Sequence, residues 1–231
     1  MAAKRPKIVE PPGNGLWRVG RSPDPLRFSD PLDPGLLENR SGGNRFDSPT
    51  GDYRVCYFAT TLDGCFGETL SRFRPDPGLS ATAHEEGFMA LGEVPADWRH
   101  RRLAVRVMPR PSDAIPTLCF LDVEAAETRA VLRSEIGELL AYYGYSDLDV
   151  PTVRGGDRRV TRWIGRWGYE QRDADDRLQF AGIRYLSRLS SEWECWALFE
   201  DVALDEQERR PITRGDHALK RLADLYGLTV F

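Results

Sequence analysis

The order of apolar segments along the chain is the feature that most constrains its fold. Runs rich in β-branched and aromatic residues predict strands at residues 16–19, 53–60, 103–108, 117–123, 182–187 and 194–199. Helical periodicity predicts helices at residues 61–73, 124–143, 158–171 and 216–225. Because strands and helices do not alternate in a regular βαβ rhythm, we expect an α+β fold rather than a doubly wound parallel sheet.

Proline and glycine mark the connections between these segments. Residues 21–44 contain four prolines and three glycines, which predicts a long loop of the kind that is usually functional or mobile. Residues 75–87 predict a second loop, and residues 147–156 a turn-rich connection. The basic and then proline-rich start predicts a disordered leader over residues 1–14, followed by one domain over residues 15–231.

Charge and hydropathy exclude several classes of protein. The chain has 32 basic and 36 acidic residues, for a net charge of −4. A protein that coats nucleic acid or binds an anionic membrane shows a basic excess, so we expect neither partner. No apolar run approaches the roughly 20 residues of a membrane span, and the first residues lack the apolar core of a secretory signal. We therefore expect a soluble cytoplasmic protein with reduced thiols.

The usual catalytic and metal-binding motifs are missing from the sequence. The four cysteines form no C-x-x-C pair, and the three histidines are scattered over a predicted loop, a turn and the start of a helix. There is no P-loop, no dinucleotide-binding G-x-G-x-x-G after a strand, no H-E-x-x-H and no G-x-S-x-G. We expect no metal site, and any catalysis must depend on arginine, glutamate, tyrosine and serine.

These residue types are concentrated between Gly42 and Glu68. A glycine turn leads into the predicted strand at 53–60, and Thr60 or Thr61 then caps a helix that contains Glu68. Each part has an ordinary structural explanation: a simple turn, a strand tyrosine in the core and a solvated helix glutamate. The small residues Gly64, Cys65 and Gly67 that precede Glu68, however, are poor formers of an exposed helix and indicate a closely packed face.

The wider arrangement resembles the RES domain family. In that family an aromatic–arginine pair precedes a Gly-Gly-Arg-Trp-Asn segment, a strand tyrosine, a helical glutamate and a late Tyr-x-Ser strand. The matching positions here are Trp17-Arg18, Gly43-Asn44-Arg45-Phe46-Asp47, Tyr57, Glu68 and Ser187. The chain departs from the pattern at Phe46-Asp47, at the inserted Asn44 and in its extra length around residues 75–175.

The resemblance implies an ADP-ribosyltransferase-like single domain, with a central mixed or antiparallel sheet flanked by helices. It also implies that NAD is the substrate and that its nicotinamide–ribose bond is cleaved. Members of the family act as NAD-depleting toxins, each neutralised by a helix-turn-helix (Xre-type) antitoxin on a separate chain. We therefore expect NAD and such an antitoxin as partners.

The resemblance also assigns binding roles that agree with the chemistry of NAD. Arg18 and Arg45 are the candidates for the diphosphate, because a guanidinium donates two parallel hydrogen bonds to phosphate oxygens. Gly43 lets backbone N–H groups approach the phosphates. The ring of Tyr57 is placed to stack on the cationic nicotinamide.

The candidate catalytic residues are Glu68, Arg45 and Ser187. Cleavage passes through an oxocarbenium-like state, which a carboxylate beside the ribose stabilises, and Glu68 is our candidate for that group. Ser187 either binds a ribose hydroxyl or the amide, or holds Glu68 in position.

Several alternatives stay open at the level of sequence. The ADP-ribose acceptor is water, phosphate or a macromolecule, so a glycohydrolase, a phosphorylase and an ADP-ribosyltransferase all fit. The departure at Phe46-Asp47 also leaves room for an NAD-binding module without catalysis. The arginine-rich stretch 154–166 predicts a solvated helix face or an acidic partner surface, and Trp163 and Trp167 are predicted to lie in the core.

Overall fold

Eight strands form one mixed sheet in the computed structural model, which describes residues 5–75 and 92–231. Two further short strands pair separately, in parallel. In chain order the strands are β1 (Ile8–Val9), β2 (Leu16–Arg21), β3 (Val55–Ala59), β4 (Glu93–Val94), β5 (Arg102–Arg110), β6 (Phe120–Asp122), β7 (Gly182–Leu186), β8 (Glu194–Phe199), β9 (Ala203–Pro211) and β10 (Thr229–Val230).

The large sheet has the order β1-β6-β7-β8-β3-β2-β5-β9. Only the β6–β7 pair within it is parallel, with Leu121 opposite Ile183, and its other pairs are antiparallel. Strand β3 lies between β8 and β2, and four of its five residues are buried. The continuous apolar run predicted for this segment therefore corresponds to a central strand covered on both faces.

Six α-helices flank the sheet in the described part of the chain. They are α1 (Leu62–Leu70), α2 (Ala126–Glu135), α3 (Gly137–Tyr142), α4 (Val150–Arg154), α5 (Arg158–Glu170) and α6 (His217–Tyr226), with 3-10 turns at Pro34–Leu36 and Ser71–Phe73. The expected α+β fold with a large mixed sheet flanked by helices is confirmed. None of the helices in the described ranges is long and apolar enough to cross a bilayer.

The two faces of the sheet pack against different partners. Ala197 and Phe199 of β8 belong to the cluster that packs under helices α2 to α5. Trp196 and Leu198 point the other way, into a cluster with β2, β5 and neighbouring loops. A third cluster joins α1 to α6 around Phe66. Helix α1 is therefore held at one edge of the helix-covered face.

Besides the three two-residue strands β1, β4 and β10, which were not predicted, three larger parts of the secondary structure differ from the sequence prediction. The helix predicted at 124–143 is divided at Ile136, whose φ of −111° and ψ of 23° are not helical. Helix α4 lies inside the connection predicted at 147–156, where the side chain of Asp149 caps it by accepting from the Thr152 N–H. Strand β9 was not predicted, because it is a charged edge strand with only β5 as a neighbour.

The prediction of a disordered leader over residues 1–14 is wrong for part of that segment. Ile8 and Val9 pair with β6 as an edge strand, and the backbone N–H of Lys7 donates to the Thr128 hydroxyl at 2.9 Å. These contacts depend on groups more than a hundred residues away, so local composition does not reveal them. The domain boundary at residue 15 stays a prediction, and the predicted loop at 75–87 lies, apart from Pro75, outside the described residues.

Candidate functional site

A cleft of about 660 Å³ opens on the helix-covered face of the sheet, over the middle of β3. Its walls are α1, the glycine turn at 42–43, the start of α5 and the segment that follows β7. Five arginines and one carboxylate line it among the described residues. The lining groups used below are Arg18, Gly43, Arg45, Tyr57, Glu68, Arg72, Arg158 and Arg188.

The position of Glu68 follows from the way α1 begins and packs. Thr61 caps the helix, its side chain accepting from the Gly64 N–H at 3.2 Å. Gly64 and Gly67 are buried, and a Cβ added at Gly67 would overlap the ring of Trp193. The prediction of a closely packed small-residue face is confirmed. Because that face lies against Trp193, the exposed Glu68 projects into the cleft.

Ser187 holds the Glu68 carboxylate from beneath the cleft wall. It is only 2% exposed, and its hydroxyl donates to Glu68 Oε1 at 2.5 Å. The hydroxyl oxygen of Ser187 also accepts from the Leu189 backbone N–H at 3.0 Å, and this bond orients the hydroxyl proton toward the Glu68 carboxylate. Ser187 is therefore placed to position Glu68, while Oε2 of Glu68 has no hydrogen-bond partner among the described residues.

The glycine turn is shaped by Gly43 and by the buried Asp47. Gly43 has φ of +60°, and a Cβ there would lie 2.5 Å from Leu32 Cδ1, so only glycine fits without strain. Asp47 is 4% exposed and accepts from the Asn44 backbone N–H at 2.6 Å and from the Ser29 hydroxyl at 3.3 Å. Asp47 stands where the family pattern has asparagine, and its carboxylate acts purely as an acceptor at the centre of this turn.

Tyr57 connects strand β3 to the same turn. Its hydroxyl accepts from the Phe46 N–H at 2.9 Å and donates to Asp47 Oδ1 at 3.1 Å. Burial and, second, the negative charge of Asp47 raise the pKa of Tyr57 well above its usual value of 10.0. The tyrosine is therefore neutral at physiological pH, with its hydroxyl fixed and its side chain forming part of the cleft wall.

Arg18 and Arg45 line the cleft, but both guanidinium groups are largely occupied by backbone carbonyls. Arg18 donates from Nε to Pro25 O and from Nη1 to Tyr57 O, both at 2.7 Å. Arg45 donates from Nη1 to Val153 O at 2.7 Å and from Nη2 to Arg154 O at 3.2 Å. Arg45 thus caps the C-terminal end of α4, where a cation is favoured.

Sequence reasoning missed the arginines of α5. Arg162 is fully buried and donates to the carbonyls of Leu36, Leu37, Asn39 and Gly42. The prediction that this stretch is a solvated face is therefore wrong for Arg162. Arg158, one turn earlier, donates to the carbonyls of Ser41 and Gly43.

The spacing of these two arginines was the available signal, because residues four apart share one helix face. That face lies against the polar loop before the glycine turn rather than against water. Trp163 and Trp167 are both only partly buried. Trp167 packs against the core cluster, as predicted, whereas Trp163 belongs to none of the described core clusters, so the prediction that it lies in the core is wrong.

The arrangement defines a class of site: a cleft lined by five arginines and one oriented carboxylate, on an α+β sheet flanked by helices. The family comparison agrees with it. The RES domain model matches residues 15–218, and the chain belongs to the RES domain family. Comparisons with curated proteins and with solved structures find no match.

Proposed function

We propose that the cleft binds NAD and cleaves the bond between its nicotinamide and ribose. One observation carries the proposal: the Glu68 carboxylate, oriented by the buried Ser187, faces a cleft that five guanidinium groups line. A volume of about 660 Å³ lies within the range of ligand-binding pockets. Membership of the RES domain family supports the same substrate.

The cleft matches the charges of NAD in two places. The diphosphate carries the negative charge of the molecule, and guanidinium groups are suited to it through charge-assisted hydrogen bonds. The nicotinamide ring carries a positive charge, which the single carboxylate of the described cleft wall attracts. Tyr57 supplies an aromatic side chain for stacking on that ring.

In the proposed reaction the C1′–N bond breaks and its electron pair goes to the nicotinamide nitrogen. Nicotinamide leaves neutral, and positive charge develops on C1′ and the ring oxygen of the ribose. The Glu68 carboxylate stabilises that charge, as carboxylates do in glycoside hydrolysis. A nucleophile, either water or phosphate, then bonds to C1′, and an attacking water releases its proton to Glu68 or to solvent.

Nicotinamide release from NAD by the purified protein tests the proposal. We expect Glu68→Gln, which keeps the size of the side chain and removes its charge, to lower turnover by about 100-fold or more. Glu138→Gln is a matched control, because Glu138 is an exposed helix glutamate with no hydrogen bond or ion pair in the described ranges. No turnover by the wild type, or full turnover by Glu68→Gln, would refute the proposal.

The fate of the ADP-ribose separates the members of this reaction class. NAD labelled in the adenylate part yields free ADP-ribose if water is the acceptor and ADP-ribose 1″-phosphate if phosphate is. Label retained on a protein or nucleic acid would instead identify an ADP-ribosyltransferase. Each product is distinguishable by chromatography of the same reaction.

We further propose that the protein acts as the toxin of a type II toxin–antitoxin pair. NAD depletion in the cytoplasm would stop growth, and a helix-turn-helix (Xre-type) protein would neutralise it. Family membership supports this role. Induced expression of the wild type should arrest growth while Glu68→Gln does not, and co-expression of a small helix-turn-helix protein encoded beside this chain should restore it.

A further inference from the structure

Four of the five arginines of the cleft, Arg18, Arg45, Arg158 and Arg188, differ in how much of their hydrogen-bonding capacity is already used. All three nitrogens of Arg18 have backbone carbonyl acceptors, on Pro25, Tyr57 and Arg27. Both terminal nitrogens of Arg45 donate to the end of α4. These two side chains tie the walls of the cleft together and keep few N–H groups for a ligand.

Arg158 is bound on one side only. Its Nη1 donates to the carbonyls of Ser41 and Gly43, while Nε and Nη2 have no acceptor within the described residues. Nε–H and Nη2–H lie on one edge of the planar guanidinium and point in parallel directions, the geometry that matches two oxygens of a phosphate. The bonds to Ser41 and Gly43 hold that edge in place, so little side-chain entropy remains to be lost on binding.

Arg188 lines the same cleft as Arg158 and Glu68. It follows Ser187 in the chain, it is exposed, and its side chain makes no hydrogen bond or ion pair in the described ranges. Burial and the positive charges of Arg45 and Arg188 lower the pKa of Arg158. The positive charges of the guanidinium groups repel one another, and a bound anion relieves that repulsion.

We propose that Arg158 and Arg188 are the residues that bind the diphosphate of the dinucleotide, whereas Arg18 and Arg45 brace the cleft. The identity of the ligand rests on the proposed function; the anion site itself does not. Arg158 binds the diphosphate bidentately beside the glycine turn. Arg188 contacts the phosphate nearer to Glu68, so the ribose to be cleaved is drawn toward the carboxylate.

Calorimetric titration of the full chain with ADP tests this assignment without any reaction taking place. We expect Arg158→Lys and Arg188→Ala each to weaken ADP binding by about 10- to 100-fold. Arg158→Lys keeps the positive charge but loses the parallel Nε–H and Nη2–H donors. Arg133→Ala is the matched control, because Arg133 is an exposed helix arginine that pairs with Asp147 outside the cleft lining. Its dissociation constant should equal that of the wild type.

The outcomes separate this inference from the proposed function. If the wild type binds ADP through both arginines but releases no nicotinamide from NAD, the anion site stands and the proposed reaction fails. If nicotinamide is released while Arg158→Lys and Arg188→Ala bind ADP like the wild type, the inference fails alone. Failure of the wild type to bind ADP would also overturn it. Arg188→Ala removes no hydrogen bond or ion pair in the described ranges, and thermal unfolding of the same samples distinguishes a loss of binding from a loss of folding.

Discussion

Replacing Ser187 with alanine removes one hydroxyl from beneath the cleft and leaves every cleft-lining side chain in place. In the wild type that hydroxyl donates to Glu68 Oε1 and accepts from the Leu189 N–H. The serine is 2% exposed and is not among the residues that line the cleft. The substitution therefore tests whether the orientation of Glu68, rather than its charge alone, is required for activity.

The magnitude follows from the type of hydrogen bond that is lost. A hydrogen bond to a charged group contributes about 1.5–3 kcal/mol. If all of that energy orients Glu68 in the transition state, kcat falls about 10- to 150-fold, since about 1.4 kcal/mol corresponds to a factor of ten. Glu68 is exposed, and water replaces part of the lost bond, so we expect the lower part of this range.

The assay is steady-state release of nicotinamide from NAD, together with thermal unfolding of the same samples. A residue that positions the carboxylate should lower kcat and leave KM nearly unchanged, because it contributes little to binding of the ground state. Ser187→Thr, which keeps the hydroxyl, should recover most of kcat. Ser134→Ala is the control, since Ser134 is an exposed helix serine with no side-chain hydrogen bond in the described ranges.

Two results would refute the reasoning. An unchanged kcat in Ser187→Ala would mean that the hydrogen bond to Glu68 has no role in the reaction. A rise in KM with kcat preserved would mean that Ser187 contributes to substrate binding instead. If Ser187→Ala lost activity because it unfolded, its Tm would fall by many degrees. Leaving the Leu189 N–H without an acceptor lowers the free energy of unfolding by only about 1–2 kcal/mol, which shifts Tm by a few degrees.

Three other predictions concern the framework of the cleft. Gly67→Ala should lower the free energy of unfolding by about 1–3 kcal/mol in urea titrations, because the added methyl overlaps Trp193. Gly137→Ala is the control, since Gly137 has open space around it and its substitution should not lower that free energy. Equal effects of the two substitutions would contradict this packing. Asp47→Asn should lower the free energy of unfolding by about 1–3 kcal/mol, because the new amide N–H groups face the N–H donors of the glycine turn. A wild-type Tm in this variant would contradict the hydrogen bonds from Asn44 to Asp47. Burial raises the pKa of the Cys65 thiol from 9.0 to about 12, so wild-type stability should fall as pH rises from about 9 to 12. Cys65→Ala should lessen that fall by about 1.4 kcal/mol per pH unit, and identical pH profiles for the two proteins would refute the assignment.

The elements that positioned Glu68 were accessible from the sequence because their causes are local. The apolar run at 53–60 predicts β3, Thr61 is a capping residue, and the small residues around Glu68 predict a packed helix face. Each of these inferences uses residues within one or two turns of each other. The same local signals located the glycine turn, whose positive φ at Gly43 the structure shows.

Strand β9 and the edge strand β1 illustrate what local patterns do not contain. Both pair at an edge of the large sheet, where burial does not impose alternation of apolar and polar residues. Their formation depends on a neighbouring strand that is distant in the sequence. Helix α4 escaped prediction for another reason: at five residues it is too short for periodicity to be visible.

By itself the sequence determined the family, the α+β class and the set of candidate residues from Arg18 to Ser187. Only the tertiary structure decided which of those residues positions Glu68 and which donate to the backbone of the cleft walls. Hydrogen bonds across the fold join groups that no spacing rule relates. Ser187 meets Glu68 across 119 residues, and Arg162 meets Gly42 across 120. Arg18 and Arg45 donate mainly to backbone carbonyls, while Arg158, which the sequence placed only in an arginine-rich helix, presents a free edge to the cleft.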